Sequence, residues 1–288
     1  MASSVRVFAP AKVNLFLHAG EKRGDGYHAL QSLAVFVHNV GDELVFRPAS
    51  TLELTIAGPH GTQLSADNDN LVLKAARALD ANHGAEIVLT KNLPVASGIG
   101  GGSADAAATL RGLMHLWSLE IDDAQRLDIA AGLGSDVPVC VKSEPAWMEG
   151  RGEILTSVMP MPDMPIVLVN PRVEVQTGRV FAALANRHGT EMVLPSGFAD
   201  AEALLAYLAQ TTSNDLEVPA RSLAPVIGDV LDALSAMQGA RLARMSGSGA
   251  TCFALFDKGE QARNAMHALR NQHPTWWVEA GETGLTPQ

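Results

Sequence analysis

Short apolar segments separated by turn residues dominate the first third of the chain. This pattern predicts strands over residues 5–8, 12–17, 33–37, 43–47, 52–56 and 86–90. Because proline lacks the N–H that a strand ladder needs, Pro10 is expected to separate the first two of these strands. The region therefore reads as a set of short strands rather than as a helical domain.

Apolar positions with helical spacing begin after residue 70. Asp69 and Asn70 precede apolar positions from Leu71 to Leu79, which predicts a capped amphipathic helix. A second helix is predicted after Ser103, where Ala107, Leu110, Met114 and Trp117 recur at helical spacing. A third is predicted over residues 122–133, closed by Gly134.

The second half mixes helices and strands without a fixed repeat. Three prolines within residues 159–165 predict a domain boundary, with one domain at 1–158 and another at 159–288. Beyond it, strands are predicted at 166–169, 241–245, 251–256 and 276–280, and helices at 178–186, 199–209, 224–237 and 260–271. Because no strict strand–helix alternation appears, the fold class predicted is α+β.

Composition narrows the classes of partner. The 288 residues are 47% hydrophobic and carry a formal net charge of -10. That charge argues against nucleic-acid or anionic membrane surfaces, and it leaves room for a small anionic substrate at a local positive site. Cys140 and Cys252 are far apart in apolar segments, which favours buried free thiols over a disulfide. Without a signal-like start or a spanning apolar run, we expect a cytoplasmic protein. The sequence does not indicate its oligomeric state.

A glycine-rich segment at residues 94–105, Pro-Val-Ala-Ser-Gly-Ile-Gly-Gly-Gly-Ser-Ala-Asp, leads directly into the second helix. Glycines let the backbone approach a ligand closely, and the helix start adds unpaired N–H groups and a positive dipole end. This combination predicts a phosphate-binding loop. Ser103 stands where a dinucleotide fingerprint needs its third glycine, and the chain has no Gly-Lys pair for a Walker loop. A flexible surface loop is the alternative, disfavoured because so regular a helix follows.

Three other segments contain candidate polar groups. Lys12 and Asn14 lie two apart and therefore on one face of an apolar strand. Asp136 stands between a helix end and an apolar segment interpreted as a strand, and small residues at 246–250 predict a tight loop. Each also has a plain structural interpretation: edge-strand polar residues, a helix-stop turn and a hairpin turn.

Taken in order, these segments resemble the GHMP kinases. The resemblance rests on Pro-x-Lys-x-Asn at 10–14, the glycine-rich segment, Gly-x-Asp-Val-Pro at 134–138 and Ser-Gly-Ser-Gly at 246–249. It implies two α+β lobes with the active site in the cleft between them. It also implies ATP-dependent phosphorylation of a small-molecule alcohol, with ATP and Mg²⁺ as cofactors.

The resemblance also implies roles for particular residues. Asp136 would accept the proton of the attacking hydroxyl, and Lys12 beside it would keep the carboxylate ionised and stabilise charge on the transferred group. Asp105 is interpreted as a first-turn helix residue favoured by the dipole, so the metal ligands stay open. The implied ATP-binding residues are Pro94, Val95, Ala96, Ser97, Gly98, Ile99, Gly100, Gly101, Gly102, Ser103, Ala104 and, near the adenine, Asn70.

Within the superfamily, Arg-Gly-Asp-Gly-Tyr-His at 23–28 and Ser-Asn-Asp-Leu at 213–216 resemble one branch. Its substrate is a cytidine-diphosphate-linked sugar alcohol of the non-mevalonate isoprenoid route, phosphorylated at the 2-hydroxyl. The implied substrate-binding residues are Tyr27 and His28 for cytidine, Asn14 for the erythritol hydroxyls, and Thr177 and Phe181 in the second domain. The alternatives are another GHMP kinase, of homoserine or mevalonate type, and a non-catalytic nucleotide-binding protein, which needs neither Lys12 nor Asp136.

Overall fold

Contacts divide the chain into two compact units in a computed structural model that describes residues 4–24, 26–184 and 192–284. The first unit comprises Met1–Ala11, Gly41–Val95 and Gly100–Ser143. The second comprises Lys12–Val40, Ala96–Ile99 and Glu144–Gln288. Because the units interleave along the chain, the boundary expected after residue 158 stays a prediction.

The two N-terminal strands are far longer than predicted. β1 spans Val5–Lys22 and β2 spans His28–Pro48, so the predicted breaks within them were wrong. Residues 9–19 are buried without interruption, and proline's fixed φ is compatible with extended backbone. Pro10 therefore removes one ladder donor without ending the strand.

In the first unit, helices cover a small sheet. Residues 43–48 of β2 pair antiparallel with β4 (Ala85–Thr90), which pairs parallel with β3 (Leu52–Ala57). α2 (Gly101–Trp117) buries its alanine-rich face and contacts the three other helices of the unit. These are α1 (Leu71–Leu79), α3 (Asp123–Leu133) and α4 (Val137–Lys142); a short 3₁₀ turn covers Gly61–Gln63.

Two helices of this unit begin where the sequence predicts, and a third, α4, was not predicted. The side chains of Asn70 and Asp122 accept from backbone N–H groups at the starts of α1 and α3, as the sequence predicts. The segment after Asp136, interpreted as a strand, is instead helix α4. Its valines suggested a strand, but Pro138 in the first turn fixes a φ that suits a helix start.

The second unit contains an antiparallel sheet with strand order β10-β7-β9-β8. Separately, the first part of β2 pairs with β5, and β5 pairs with β6. The remaining strands are β5 (Ala146–Gly150), β6 (Ile154–Ser157), β7 (Pro165–Asn170), β8 (Ala240–Met245), β9 (Cys252–Phe256) and β10 (Trp277–Glu282). The helices are α5 (Thr177–Ala182), α6 (Ala201–Thr211), α7 (Glu217–Leu223), α8 (Val226–Ser235) and α9 (Gly259–Gln272).

The α+β class predicted from the sequence is confirmed. The sequence did not predict α7, β5 or β6, and the last two positions of the helix expected at 178–186 lie outside the described residues. Cys140 and Cys252 are buried free thiols, as expected. Among the described residues, every helix is too short or too polar to cross a membrane.

Candidate active site

The glycine-rich segment forms a turn that opens the first helical turn of α2. Gly98 and Gly100 have φ of 77° and 64°, in the left-handed region that favours glycine. Gly100 caps the helix, and Ala104 N donates to Gly100 O at 2.8 Å. The three preceding N–H groups, at residues 101–103, come before the first intrahelical bond of α2, as in any helix start. The predicted phosphate-binding loop therefore has the required local geometry.

A pocket of about 280 Å³ lies beside this helix start, within the first unit. Asn70 lines it, and its side chain accepts from Val72 N at 2.9 Å and donates to Ser65 O at 2.9 Å. The amide of Asn70 thus fixes the turn that precedes α1. The lining residues are Leu64, Ser65, Asp67, Asp69, Asn70, Leu71, Val72, Leu89, Gly102 and Asp105.

Three buried charged residues lie beneath the helix start, and we call Asp42, Lys91 and Asp105 the Lys91 cluster. Lys91 Nζ lies 2.6 Å from Asp42 Oδ2 and 2.6 Å from Asp105 Oδ2. Asp105 is in the second turn of α2, so its interpretation as a first-turn dipole residue was wrong. Burial raises the pKa of Asp105 to about 8, although Lys91 opposes the shift. Burial also opposes the charge on Lys91, yet the two carboxylates raise its pKa.

Asp136 is half-buried at the N-cap of α4. Arg111 on α2 holds the far end of this helix, since its guanidinium donates to Cys140 O at 2.9 Å and to Val141 O at 3.1 Å. A second donor of Arg111 reaches Phe8 O at 3.0 Å. Two of the last carbonyls of α4 are thereby satisfied, which stabilises the short helix that carries Asp136.

Lys12 and Asn14 are both buried on β1 in the second unit, each 2% exposed. Lys12 N donates to Ile99 O at 3.0 Å, and Asn14 Nδ2 donates to Ser32 Oγ at 2.7 Å. This bond leaves Asn14 Oδ1 buried without a hydrogen-bond partner among the described residues. Because buried acceptors are normally satisfied, this oxygen is suited to a donor from a ligand.

The Ser246–Gly249 segment connects β8 to β9, so the hairpin-turn interpretation is correct. The turn also holds part of the glycine-rich segment: Ser246 Oγ donates to Gly98 O at 3.0 Å, and Thr251 N donates to Ser97 O at 3.1 Å. Asn14 N in turn donates to Ser246 Oγ at 3.1 Å. A structural turn and a site element are therefore the same feature.

Sequence reasoning gave no role to Asn214, which supports this turn. Its Nδ2 donates to Met245 O and Gly247 O, each at 2.8 Å, and its Oδ1 accepts from Leu216 N at 3.0 Å. The Ser-Asn-Asp-Leu motif was noted for resemblance alone, and its position in the sequence gave no sign of these distant partners.

Two of the predicted substrate residues come together as an aromatic pair. The rings of His28 and Phe181 stack with centroids 5.3 Å apart and an interplanar angle of 18°. His28 Nδ1 lies 3.0 Å from Gly20 O. Thr177 Oγ1 lies 2.8 Å from Ser248 Oγ, which places it at the turn after β8.

Tyr27 differs from this pair because its side chain faces solvent. The residue is 54% exposed, and the guanidinium of Arg151 lies 5.2 Å from the centre of its ring. The register Leu30↔Gly150 between β2 and β5 explains the contact. Sequence reasoning missed Arg151, since a single arginine after a glycine carries no signal.

Comparisons with known proteins give the class of this chain. Residues 70–144 match the model for the GHMP kinases N terminal domain, and residues 196–275 match that for the GHMP kinases C terminal domain. The chain belongs to the GHMP kinases and is an ATP-dependent small-molecule kinase, as the resemblance predicted.

Two relatives that cover nearly the whole chain have the same enzyme name. A 4-diphosphocytidyl-2-C-methyl-D-erythritol kinase of Cereibacter sphaeroides is 50% identical over 275 residues, 94% of this chain and 96% of that protein. One from Rhodospirillum rubrum is 46% identical over 294 residues, 99% of this chain and 96% of that protein.

Solved structures agree with the fold. A crystal structure of 4-(cytidine 5'-diphospho)-2C-methyl-D-erythritol kinase is 34% identical, covers 97% of this chain and 99% of its own, and has a TM-score of 0.77. A homoserine kinase from Cytophaga hutchinsonii shares the fold with a TM-score of 0.71 at 21% identity, covering 100% of this chain and 96% of its own.

Proposed function

We propose that this chain transfers the γ-phosphoryl group of ATP to the 2-hydroxyl of 4-diphosphocytidyl-2-C-methyl-D-erythritol, in the non-mevalonate route to isoprenoid precursors. The observation that carries the proposal is the 50% identity to a relative of that name across 94% of the chain. The arrangement of candidate residues within each unit supports it.

ATP binds at the glycine-rich segment in this proposal. The backbone N–H groups from Gly98 to Ser103 bind the β- and γ-phosphates, with the positive end of α2 behind them. The pocket lined by Asn70 and Leu71 receives the adenine. It is slightly smaller than typical small-molecule pockets, which have volumes of about 300–1,000 Å³, and it opens beside Gly102.

Mg²⁺ enters as part of the Mg·ATP substrate. Among residues 4–24, 26–184 and 192–284, no group of three or more His, Cys, Asp or Glu is arranged to hold a metal. Mg²⁺ usually keeps several waters and binds through substrate phosphates with one or two carboxylates. The donor set therefore fits an ion delivered by the nucleotide, where it neutralises charge on the phosphates.

Asp136 and Lys12 act on the acceptor alcohol. The carboxylate of Asp136 takes the hydroxyl proton as the oxygen attacks the γ-phosphorus, and the bond from that phosphorus to the β–γ bridging oxygen breaks to release ADP. The Lys12 ammonium stabilises negative charge on the transferred group.

The second unit recognises the rest of the substrate. Tyr27 and the His28–Phe181 pair provide aromatic faces for the cytosine base, since stacking on aromatic side chains is a general way to hold a base. The buried Asn14 Oδ1 accepts a hydrogen bond from an erythritol hydroxyl. Thr177, beside Ser248, contacts the same substrate.

The test is a coupled assay of ADP release, run separately with the cytidylyl alcohol, homoserine and mevalonate as the acceptor. We expect turnover with the cytidylyl alcohol at least about tenfold above the others, since base stacking contributes roughly 1–3 kcal/mol. Equal turnover with homoserine would leave only the class established, and nucleotide binding without turnover of any acceptor would support a non-catalytic protein.

Two variants test the assigned roles in the same assay. Asp136→Asn should lower kcat by about 10²–10⁴-fold with ATP affinity close to normal, because general-base catalysis typically contributes that much. Tyr27→Ala should raise KM for the cytidylyl alcohol about tenfold or more while KM for ATP changes little. Turnover of Asp136→Asn within a few-fold of the parent would remove the base assignment.

A further inference from the structure

The two carboxylates of the Lys91 cluster receive very different numbers of hydrogen bonds. Asp42 Oδ1 accepts from Asn92 N at 2.6 Å and Leu93 N at 2.9 Å, and its Oδ2 accepts from Lys91 Nζ at 2.6 Å. Asp105 Oδ2 accepts from Lys91 Nζ alone, also at 2.6 Å. The other oxygen, Asp105 Oδ1, is buried with no hydrogen-bond partner among the described residues.

Lys91 can balance one negative charge, and the unequal number of hydrogen bonds indicates which of the two carboxylates carries it. Hydrogen bonds donated to a carboxylate favour its charged form, whereas burial without donors favours the neutral acid. Asp42 has three donors and Asp105 has one, so the charge belongs on Asp42 and the proton on Asp105. The pKa of Asp105, raised by burial to about 8, agrees with this assignment.

The cluster is tied to both ends of the glycine-rich segment. Asp42 holds the amides of Asn92 and Leu93, which lead into that segment, and Asp105 is its last residue, on α2. A Cβ added to Gly101 would lie 3.0 Å from Lys91 Nζ. A second negative charge on the cluster would therefore lie directly behind the N–H groups offered to phosphate, where it opposes an anion.

We propose that Asp105 is a positioning residue for the nucleotide: its proton keeps the Lys91 cluster neutral, and nucleotide affinity falls when that proton is lost. The inference rests on the proposed placement of ATP at the glycine-rich segment. Asp105 acts through Lys91 and does not itself touch the phosphates.

Other charged groups near Asp105 do not produce the same dependence of nucleotide affinity on pH. Asp42 and Lys91 are the groups that act on its carboxyl electrostatically. Asp67 and Asp69 line the same pocket, but a hydrogen bond from Ser65 lowers the pKa of Asp67, and Asp69 forms a surface ion pair with Lys74 at 3.0 Å. The charge on Asp67 is therefore constant above pH 7.

The test is calorimetric titration of the full chain with Mg²⁺ and a non-hydrolysable ATP analogue between pH 7 and 9. If only the protonated form binds, the Kd of the parent should rise about tenfold over this range, given a pKa of about 8 for Asp105. Asp105→Asn imitates the neutral acid, so it should bind with the parent's pH 7 affinity within a few-fold and show a flat profile. Titration of the ligand itself is common to both proteins and cancels.

Asp42→Asn is the matched variant, because it changes the other carboxylate of the same lysine. It should weaken binding at every pH, since it removes the charge that holds Lys91, Asn92 and Leu93. The inference is overturned if Asp105→Asn keeps the pH dependence of the parent, or if it weakens binding as much as Asp42→Asn does.

Proton uptake provides a measurement that needs no variant. At pH 8.5 the parent should take up a proton on binding the analogue, detected as a binding enthalpy that changes with the ionisation enthalpy of the buffer. Binding without pH dependence or proton uptake would overturn this inference alone. Failure of the parent to bind nucleotide at any pH would overturn the proposed function and the inference together.

Discussion

Gly98 and Gly102 belong to one glycine-rich segment, but their surroundings differ completely. Gly98 has a φ of +77°, and a Cβ there would lie 2.6 Å from Ser246 O and 2.7 Å from Gly249 O. Gly102 is exposed in the first turn of α2, where a Cβ would meet only Leu71 Cδ1, at an ordinary 3.5 Å. The fold therefore requires glycine at Gly98 and does not require it at Gly102.

This difference separates two reasons for glycine in a loop. At Gly98 the missing side chain makes room for the turn after β8, so the residue is explained by the protein alone. At Gly102 the protein leaves open space beside a pocket, so the missing side chain is best explained by a ligand that approaches the backbone. Gly102 is the more informative of the two about binding.

The largest effect should come from Gly98→Ala. The left-handed backbone costs a non-glycine residue about 1–2 kcal/mol, and overlap with two backbone atoms adds about 1–3 kcal/mol. We expect the free energy of unfolding in urea to fall by about 3 kcal/mol. Gly132→Ala is the control, because a Cβ at Gly132 meets nothing within 4 Å and its stability should not fall. A loss below about 1 kcal/mol for Gly98→Ala would contradict the first half of the comparison.

Gly102→Val should have the opposite effect, with a large loss of nucleotide affinity and little loss of stability. Its side chain fills space reserved for the ligand, and a steric cost near the upper end of about 1–3 kcal/mol corresponds to roughly a hundredfold loss of nucleotide affinity. The free energy of unfolding should change by less than about 1 kcal/mol, since valine is no worse than glycine in a helix. Titration with the non-hydrolysable analogue and urea unfolding measure the two quantities. Unchanged affinity would mean that the ligand does not approach this residue.

Asn214→Ala tests whether the turn after β8 is what makes Gly98 indispensable. The substitution leaves Met245 O and Gly247 O without their side-chain donor, which should lower the free energy of unfolding by about 2 kcal/mol. Combined with Gly98→Ala, the loss should be smaller than the sum by about 1 kcal/mol, because both changes disrupt one contact. Strict additivity in urea unfolding would show that the two residues act independently.

Gly101→Ala should have the smallest effect. Its added Cβ would lie 3.0 Å from Lys91 Nζ, and a shift of a few tenths of an ångström relieves that contact. We expect less than about 1 kcal/mol in both the free energy of unfolding and the free energy of nucleotide binding. A loss of affinity as large as that of Gly102→Val would shift the proposed phosphate position toward the cluster.

Local signals in the sequence predicted the features that depend on neighbouring residues. The glycine-rich segment, the Asn70 cap and the α3 boundaries all follow from residues within one turn of each other. Lys12, Asn14 and Asp136 were found as motif positions, and their catalytic and binding roles stay predictions.

The sequence could not predict features that depend on residues far apart along the chain. Asp42, Lys91 and Asp105 form one cluster, yet no short-range pattern connects them, and Asp105 looked like an ordinary helix residue. The sequence also predicted β1 and β2 as several shorter strands each. Their continuity comes from burial by partners elsewhere in the chain, which in β1 outweighs the effect of Pro10.

The interleaving of the two units has a consequence during synthesis on the ribosome. Leu30 in β2 pairs with Gly150 in β5, so the partner strand is translated 120 residues later, about 6–24 s at 5–20 residues per second. Until then this edge of β2 exposes its peptide groups as a template for other nascent chains. Slower translation after residue 48 should therefore increase aggregation of nascent chains, whereas a pause after β5 has emerged from the ribosome should not.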